Sequence, residues 1–429
     1  MERYRFLFRQ LAYDVGASML VIPALLTGAL GVTALALETV ERRLALDIPL
    51  LALEPGAAQT TIATLAGSMM TVVSVVYSVL LVALSLASTQ FSTRILAGMI
   101  RDRVSQGVLG IFLGTFVWQL VALQSIHLDP PWVPPLTVTI ALGLAVVSLA
   151  ALVLFIARVI RNLQANHIVD RIARECEHVV DDVFPPRGDD VPCDAERPEP
   201  PADATIVRAT ASGYVQLVSI PSVRVVAAAG LHVQLLRPMG AFVPEGAALW
   251  SVAPAAACTP AIEEALRAAV DLGPIRTAQE DAEWGLRQIV DIGLKAISPA
   301  VNDPSTGCLC IDHLSRLLLR AGNRAAPPSR FPSGSGEAVV PGPRYTDLVD
   351  LAFEQMRQYG KSDMAICLRL LRAIGDVAEG IEHPAGRARL HKHACAVVRA
   401  ARAAFPDEDV SELSRRAARV ERALGRAVA

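Results

Sequence analysis

Within "SPAVNDPST", Ser298, Asn302, Asp303 and Thr306 place two hydroxyls, an amide and a carboxylate close together in the chain. Those groups are of the kind that ligate a cation or hydrogen-bond a polar ligand. The same string also spells a corner between helices. Ser298 precedes Pro299, and a residue before proline is driven out of the α region. Asp303 followed by Pro304 is a helix start, with aspartate as N-cap and proline at the first helical position. Both readings stay open, and even a corner offers free backbone N–H groups to an anion. Cys308, Cys310 and His313 carry metal-ligating atoms, yet a helix turns about 200° between Cys308 and Cys310, which sends them to opposite faces. There is no second ligand pair to complete a zinc site. His391 and His393 are likewise a lone pair, so no metal and no cofactor is expected.

A different pattern occupies "TIATLAGSMMTVVSVVYSVLLVALSLASTQFSTRIL", residues 61–96. Thr64, Thr71, Ser78, Ser85 and Ser92 recur every seven positions, as do Gly67, Ser74 and Ser88 once Leu81 fills the gap. In lipid, hydrophobicity does not drive helix association, and small residues that permit close backbone approach do so instead. Hydroxyls bonded to the i−4 carbonyl cost little there. The seam therefore reads as a packing face, with Gly110-x-x-x-Gly114 in the third span as a matching flat surface. The other reading is a pore wall, formed when copies surround an axis. A seven-residue repeat drifts only about 20° per heptad, so a slight tilt keeps it inward.

Little more than a third of the chain that carries these residues is membrane domain. Four stretches reach the roughly 20 apolar residues needed to span a bilayer: about 15–37, 62–87, 107–126 and 136–157, a transmembrane domain of 1–157. None contains Asp, Glu, Lys, Arg or His. Tyr77, Gln119 and Gln124 are their most polar side chains. Proton-driven carriers usually need ionisable groups in the membrane, so that class is disfavoured. Arg3, Arg5 and Arg9, then Arg94, Arg101 and Arg103, then Arg158, Arg161, Arg171 and Arg174 alternate with poorly basic loops, where only Arg42 and Arg43 stand. The positive-inside rule puts both termini in the cytoplasm of a bacterial inner membrane. The first span lacks a cleavage site and reads as an uncleaved anchor. Tyr4, His127 and Trp132 suit the interface.

The chain has 429 residues, a 52% hydrophobic fraction and a formal net charge of −2. That balance leaves no electrostatic footprint for nucleic acid. Seven cysteines, odd in number and without a C-x-x-C, read as reduced cytosolic thiols. Beyond the spans, 158–184 continues as a juxtamembrane helix whose stripe of Val169, Ile172, Cys176, Val179 and Val183 suits either a self-pairing stalk or a helix lying on the next domain. Residues 185–204 form a Pro-rich linker. Residues 205–253 are β-rich, and "GAFVPEGAAL" spaces Gly240, Val243, Gly246 and Leu249 by threes. That spacing resembles the turn of biotinyl/lipoyl-like barrels; a plain small sheet is the other reading. The chain's lysines are Lys295, Lys361 and Lys392, so no lysine is there to carry a swinging cofactor. Residues 260–429 return to helical periodicity, opening with a capping box at Thr277 and Glu280, and a Gly/Pro/Ser loop runs to Pro343. The fold class is thus an α-helical polytopic membrane domain plus a cytoplasmic α+β domain.

The second span, the "SGYVQ" segment and "LRQIVDIGLKAISPAVNDPSTG" at 286–307 resemble a bacterial family of predicted membrane proteins, domain-of-unknown-function family 2254. The likeness covers nearly the whole chain and implies a membrane protein without assigning it an activity. No P-loop, G-x-G-x-x-G after a strand, G-x-S-x-G or H-E-x-x-H occurs, so enzymatic chemistry has no support. The lipid bilayer is one partner. Self-association is the other, since four spans are few for a pathway and a pore needs several copies. The leading expectation is a homo-oligomer with a channel-like or transport-related role for an unnamed ion or small ligand. The alternative is a membrane-anchored sensor or scaffold whose cytoplasmic domain binds a ligand or partner.

Overall fold

The computed structural model describes residues 20–44, 54–90, 102–187, 199–276, 281–406 and 410–425. Its contacts divide the chain into two units, 1–167 and 168–429. The basic residues before 20, Arg94, Arg101, Ser92, Cys193 and the expected capping box at Thr277 and Glu280 fall outside the described residues.

The first unit holds four helices long and apolar enough to cross a membrane: α1 (Val21–Leu44), α2 (Pro55–Gln90), α3 (Arg103–Ser125) and α4 (Pro135–Asn162). A two-stranded hairpin, β1 (His127–Leu128) with β2 (Pro131–Trp132), joins α3 to α4. There the His127 and Trp132 rings meet edge to face at 6.2 Å. α1 runs past the expected end at Leu37 and takes Glu38 and Glu41 into the helix. A hydropathy window stops at the first carboxylate, whereas backbone hydrogen bonding does not.

α3 is the most enclosed of the four spans. Gly110 and Gly114 lie against α1: a Cβ on Gly110 would come within 2.9 Å of Leu26 Cβ and 3.2 Å of Pro23 Cα, and one on Gly114 within 3.2 Å of Leu30 Cβ. A Cβ on Gly31 would meet Val117 at 3.1 Å. Positions rise together along both helices, so α1 and α3 run parallel, as first and third crossings must. The glycines therefore serve the α1–α3 contact, not a match to the hydroxyl seam of α2.

In the second unit, α5 (Ala165–Val183) is a new helix, separated from α4 at Leu163 and Gln164. The expected unbroken continuation of the fourth span is corrected accordingly. Of its stripe, Val169, Ile172 and Cys176 are buried together with Ile168, Ala173 and Val180. Three arginines of α9 (Pro304–Gly322) and the turn after it grip the polar flank: Arg316 Nε donates to Glu177 at 2.7 Å, Arg320 Nε to Asp181 at 2.7 Å, and Arg324 Nη1 to the Phe184 carbonyl at 2.8 Å. Of the two readings of this helix, lying on the next domain is the one realised.

The β segment does not close into a barrel. β3 (Thr205–Arg208), β5 (His232–Leu235) and β7 (Ala248–Ala253) join β9 (Arg330–Ser333) and β10 (Gly336–Val339) in a sheet ordered β3-β7-β5-β10-β9. β4 (Gly213–Val218), β6 (Phe242–Val243) and β8 (Val270–Gly273) form a second, ordered β6-β4-β8. A sheet with β3 and β9 at its ends has two open edges. Gly240 and Gly246 do turn the chain with φ of +75° and +78°, but β6 between them pairs with β4 in one sheet while β5 and β7 pair with each other in the other. Three strands come from beyond 253, two of them from the stretch expected to be a loop, so both sheets reach into the region read as helical. A short helix, α6 (Ile220–Ala227), capped by Ser219, interrupts the β segment. Val207, Val233, Leu235, Trp250, Val252 and Ala338 share one core with Leu266 of α7 (Pro260–Ala268), whose carbonyl accepts from Trp250 Nε1 at 3.0 Å.

Among the described residues six helices follow: α8 (Ala282–Ala296), α9, α10 (Tyr345–Gly360), α11 (Met364–Gly380), α12 (Pro384–Ala404) and α13 (Val410–Leu424). Asp281, Asp303 and Asp363 cap α8, α9 and α11. Burial, helped by the charge of Asp281, pushes the Cys176 thiol up to about 12, which keeps it protonated and unreactive.

Candidate functional site

Along α2 the buried described side chains are Ala58, Ile62, Ala66, Met69, Val73, Val76, Ala83 and Ala87, an apolar stripe spaced by threes, fours and one heptad. Thr64, Gly67, Thr71, Ser74, Ser78 and Ser85 are all exposed within the chain. At 100° per residue they stand roughly opposite that stripe. The side chain of Ser88 falls outside the described ones. Thr64 Oγ1 donates to the Thr60 carbonyl at 2.8 Å, Thr71 to Gly67 at 3.3 Å, Ser74 to Met70 at 3.0 Å and Ser78 to Ser74 at 2.9 Å. These hydroxyls are satisfied by their own helix, so the face is small, flat and without a polar penalty in lipid. It turns away from α3, so the expectation that it packs on the third span does not hold within one chain.

Other polar groups lie inside the four-helix unit. Glu41, fully buried, accepts from the Leu136 N–H at 2.6 Å and the Thr137 N–H at 3.1 Å, and from the Thr137 hydroxyl. Its carboxylate thereby caps α4, where the helix dipole and free N–H groups favour a negative charge. At the other end of α4, Arg158 Nη2 reaches Asp102 Oδ1 at 3.0 Å and Asn162 Nδ2 reaches Oδ2 at 3.3 Å. Mid-span, Thr115 and Ser148 hydroxyls share a hydrogen bond of 3.0 Å, both buried. Gln119, one turn from Thr115, is fully buried, while Gln124 is exposed. The role of Glu41 escaped the sequence reading because it belongs to a helix end; "LETVERR" continuing a helical pattern past Leu37 is the signal that points to it.

The "SPAVNDPST" string folds into a closed corner. Ser298 Oγ donates to the Lys295 carbonyl at 2.7 Å, the Asn302 N–H to Ser298 at 2.8 Å and the Asp303 N–H to Ala296 at 2.8 Å. Asn302 holds φ at 51°, a region asparagine tolerates better than most residues. Asp303 accepts from the Thr306 N–H at 3.1 Å and its hydroxyl at 2.6 Å. Those hydrogen bonds, the Thr306 hydroxyl foremost, hold the Asp303 carboxyl below the usual carboxylate range. Ser298, Asp303 and Thr306 are thus brought together, with their polar atoms turned on the corner itself. Cys310 is buried while Cys308 points at the Ala365 carbonyl at 3.8 Å, and His393 pairs with Asp350 at 2.8 Å rather than with His391.

A family model described as a predicted membrane protein, DUF2254, matches residues 16–376, from the first span into α11. The chain belongs to the DUF2254 family. Uncharacterized proteins of Mycobacterium bovis and Mycobacterium tuberculosis are each similar to it, 34% identical over 366 residues that cover 82% of this chain and 70% of the relative. No solved structure matches it. The DUF2254 match takes in the seam, the buried polar groups of the spans and the Asp303 corner alike.

Replacing Asp303 with alanine should destabilise the second unit by about 1 kcal/mol, the worth of an N-cap, with asparagine or serine near neutral. Because its folded pKa is depressed, this contribution is present above the unfolded value near 3.9 and is lost as pH falls through the folded one. Denaturant melts at neutral and acid pH measure both. A stable Asp303→Asn protein that has lost function in cells would show that the carboxylate does more than cap.

Proposed function

We propose that this member of the DUF2254 family is a homo-oligomeric membrane protein with a channel-like role, in which α2 helices from several copies face a shared axis. The supporting observation is the exposed hydroxyl seam on α2. The outward side chains of α4 are Val146, Val147, Leu149, Val153, Leu154 and Ile156, large aliphatics suited to acyl chains. The outward face of α2 also carries Met70, Val75, Val79, Leu81, Val82 and Leu86, but between them runs a strip of threonine, serine and glycine, the residues that let membrane helices approach closely. In this reading the protein resides in the inner membrane with both ends cytoplasmic, and the pathway is passive.

Cysteine substitution with a membrane-impermeant thiol reagent, in oligomers verified by native mass, tests it. Ser78→Cys, and Thr71→Cys and Ser85→Cys one heptad either side, should react and lower potassium chloride flux through proteoliposomes. Leu128→Cys in the hairpin should react only from the outside. A monomeric mass, or silence at all three seam positions in assembled protein, sinks the proposal. Ser78→Leu adds a second readout: a seam that is only packing loses oligomer, by overpacking of about 1–3 kcal/mol, whereas a pore wall stays assembled and closes.

A second reading, a membrane-anchored sensor, draws on the second unit. Among the described residues, Ser251 Oγ and His232 Nδ1, buried atoms on the adjacent strands β7 and β5, have no hydrogen-bond partner. A small polar ligand on that side of the sheet would satisfy them. A monomeric protein whose melting temperature responds to a small-molecule screen through Ser251 favours this reading.

A further inference from the structure

Gln119 is 0% exposed, and among the described residues neither its Oε1 nor its Nε2 has a hydrogen-bond partner. A buried primary amide left dry is costly, and native proteins satisfy nearly all such groups with protein or with bound water. The surroundings vary along the bundle. One turn away lies the Thr115–Ser148 hydroxyl pair. The residue before it, Trp118, donates its indole N–H to the Thr137 carbonyl at 3.0 Å, and Thr137 is in turn held by Glu41. Six residues on, about 9 Å along the helix, α3 ends at the β1–β2 hairpin. In the opposite direction Val108, Leu109, Phe112, Ala151 and Phe155 form an apolar cluster. On the hairpin side Trp118, Ala122, Ile126, Val138 and Ala141 belong to a second apolar cluster, so the Gln119 amide and the two hydroxyls are enclosed between two apolar layers.

We propose that Gln119, with Thr115 and Ser148, forms a hydrated polar site inside the bundle of each subunit, held between the Phe112–Phe155 layer and the Trp118–Val138 layer. An amide that both donates and accepts, beside two hydroxyls and no charge, selects small neutral hydrogen-bonding molecules, water first. The site lies within one chain and does not depend on the α2 seam or on assembly.

Silver ion is the probe, because it is close to water in size, reacts with thiols and does not partition into lipid. In a chain with its native cysteines replaced and its melting unchanged, Gln119→Cys should react at least tenfold faster than Leu109→Cys. Equal rates at Gln119→Cys and Leu109→Cys overturn the proposal. A second measurement needs no thiol. If the amide were buried dry, Gln119→Leu would remove its penalty and raise the melting temperature by more than about 4 °C. A hydrated amide predicts no such rise, so a rise of that size also overturns the proposal.

Discussion

Glu41→Ala should lower the stability of the four-helix unit by about 2–4 kcal/mol, because it strips three donors of one acceptor at a buried site. The Leu136 and Thr137 N–H groups are among the free donors at the start of α4, and the Thr137 hydroxyl has turned to the same carboxylate. Next to a bilayer, water has poor access to replace what is removed. Glu41→Gln keeps one acceptor oxygen and should fall between alanine and wild type. Glu38→Ala, one turn earlier on the same helix, serves as the control and should change little. Thermal melts in detergent, followed by circular dichroism, measure the series. If Glu41→Ala melted with Glu38→Ala, α4 would have to be fixed by some means other than this cap.

Gly114→Leu should separate α1 from α3 and cost at least the 1–3 kcal/mol typical of overpacking. Even a methyl group at this position meets Leu30, whose Cβ stands 3.2 Å from where it would lie. The predicted double-mutant behaviour is specific. Gly114→Ala alone is destabilising, Leu30→Ala alone leaves a cavity, and the two together lose less than their sum. Gly143→Ala on α4, where a Cβ finds nothing within 4 Å, should be silent. Additive losses at Gly114 and Leu30 would place the two residues out of contact.

Much of this was legible in the chain itself. Long apolar runs have few ways to satisfy their backbone other than as membrane helices, so all four spans were readable from composition, with ends off by a few residues. Asp303 before Pro304 marked a helix start because capping is a local interaction, decided within one turn. The β-rich stretch from 205 was visible as a change of period, although β8, β9 and β10 lie beyond the boundary that period suggested.

What the sequence could not decide were questions of which face meets what. α2 carries two heptad-spaced sets, one of Ile62, Ala66, Met69, Val73 and Val76, the other of small hydroxyl residues, and periodicity weighs them equally. Only tertiary packing turned the aliphatic set inward and left the seam outside. The juxtamembrane stripe had the same ambiguity until α9 supplied arginines for its acidic flank. The two sheets needed strands at 270–273 and 330–339, respectively in the smaller and the larger one, to pair with residues far away in sequence. Glu41 became the cap of α4 only because a side chain from one span reached a helix start about a hundred residues later. By itself the sequence determined a four-span membrane protein with a mixed α and β remainder, because those features follow from local hydropathy and backbone propensity. The tertiary structure decided the partners of each helix face and the buried polar groups, because those depend on contacts between distant segments that no local pattern encodes.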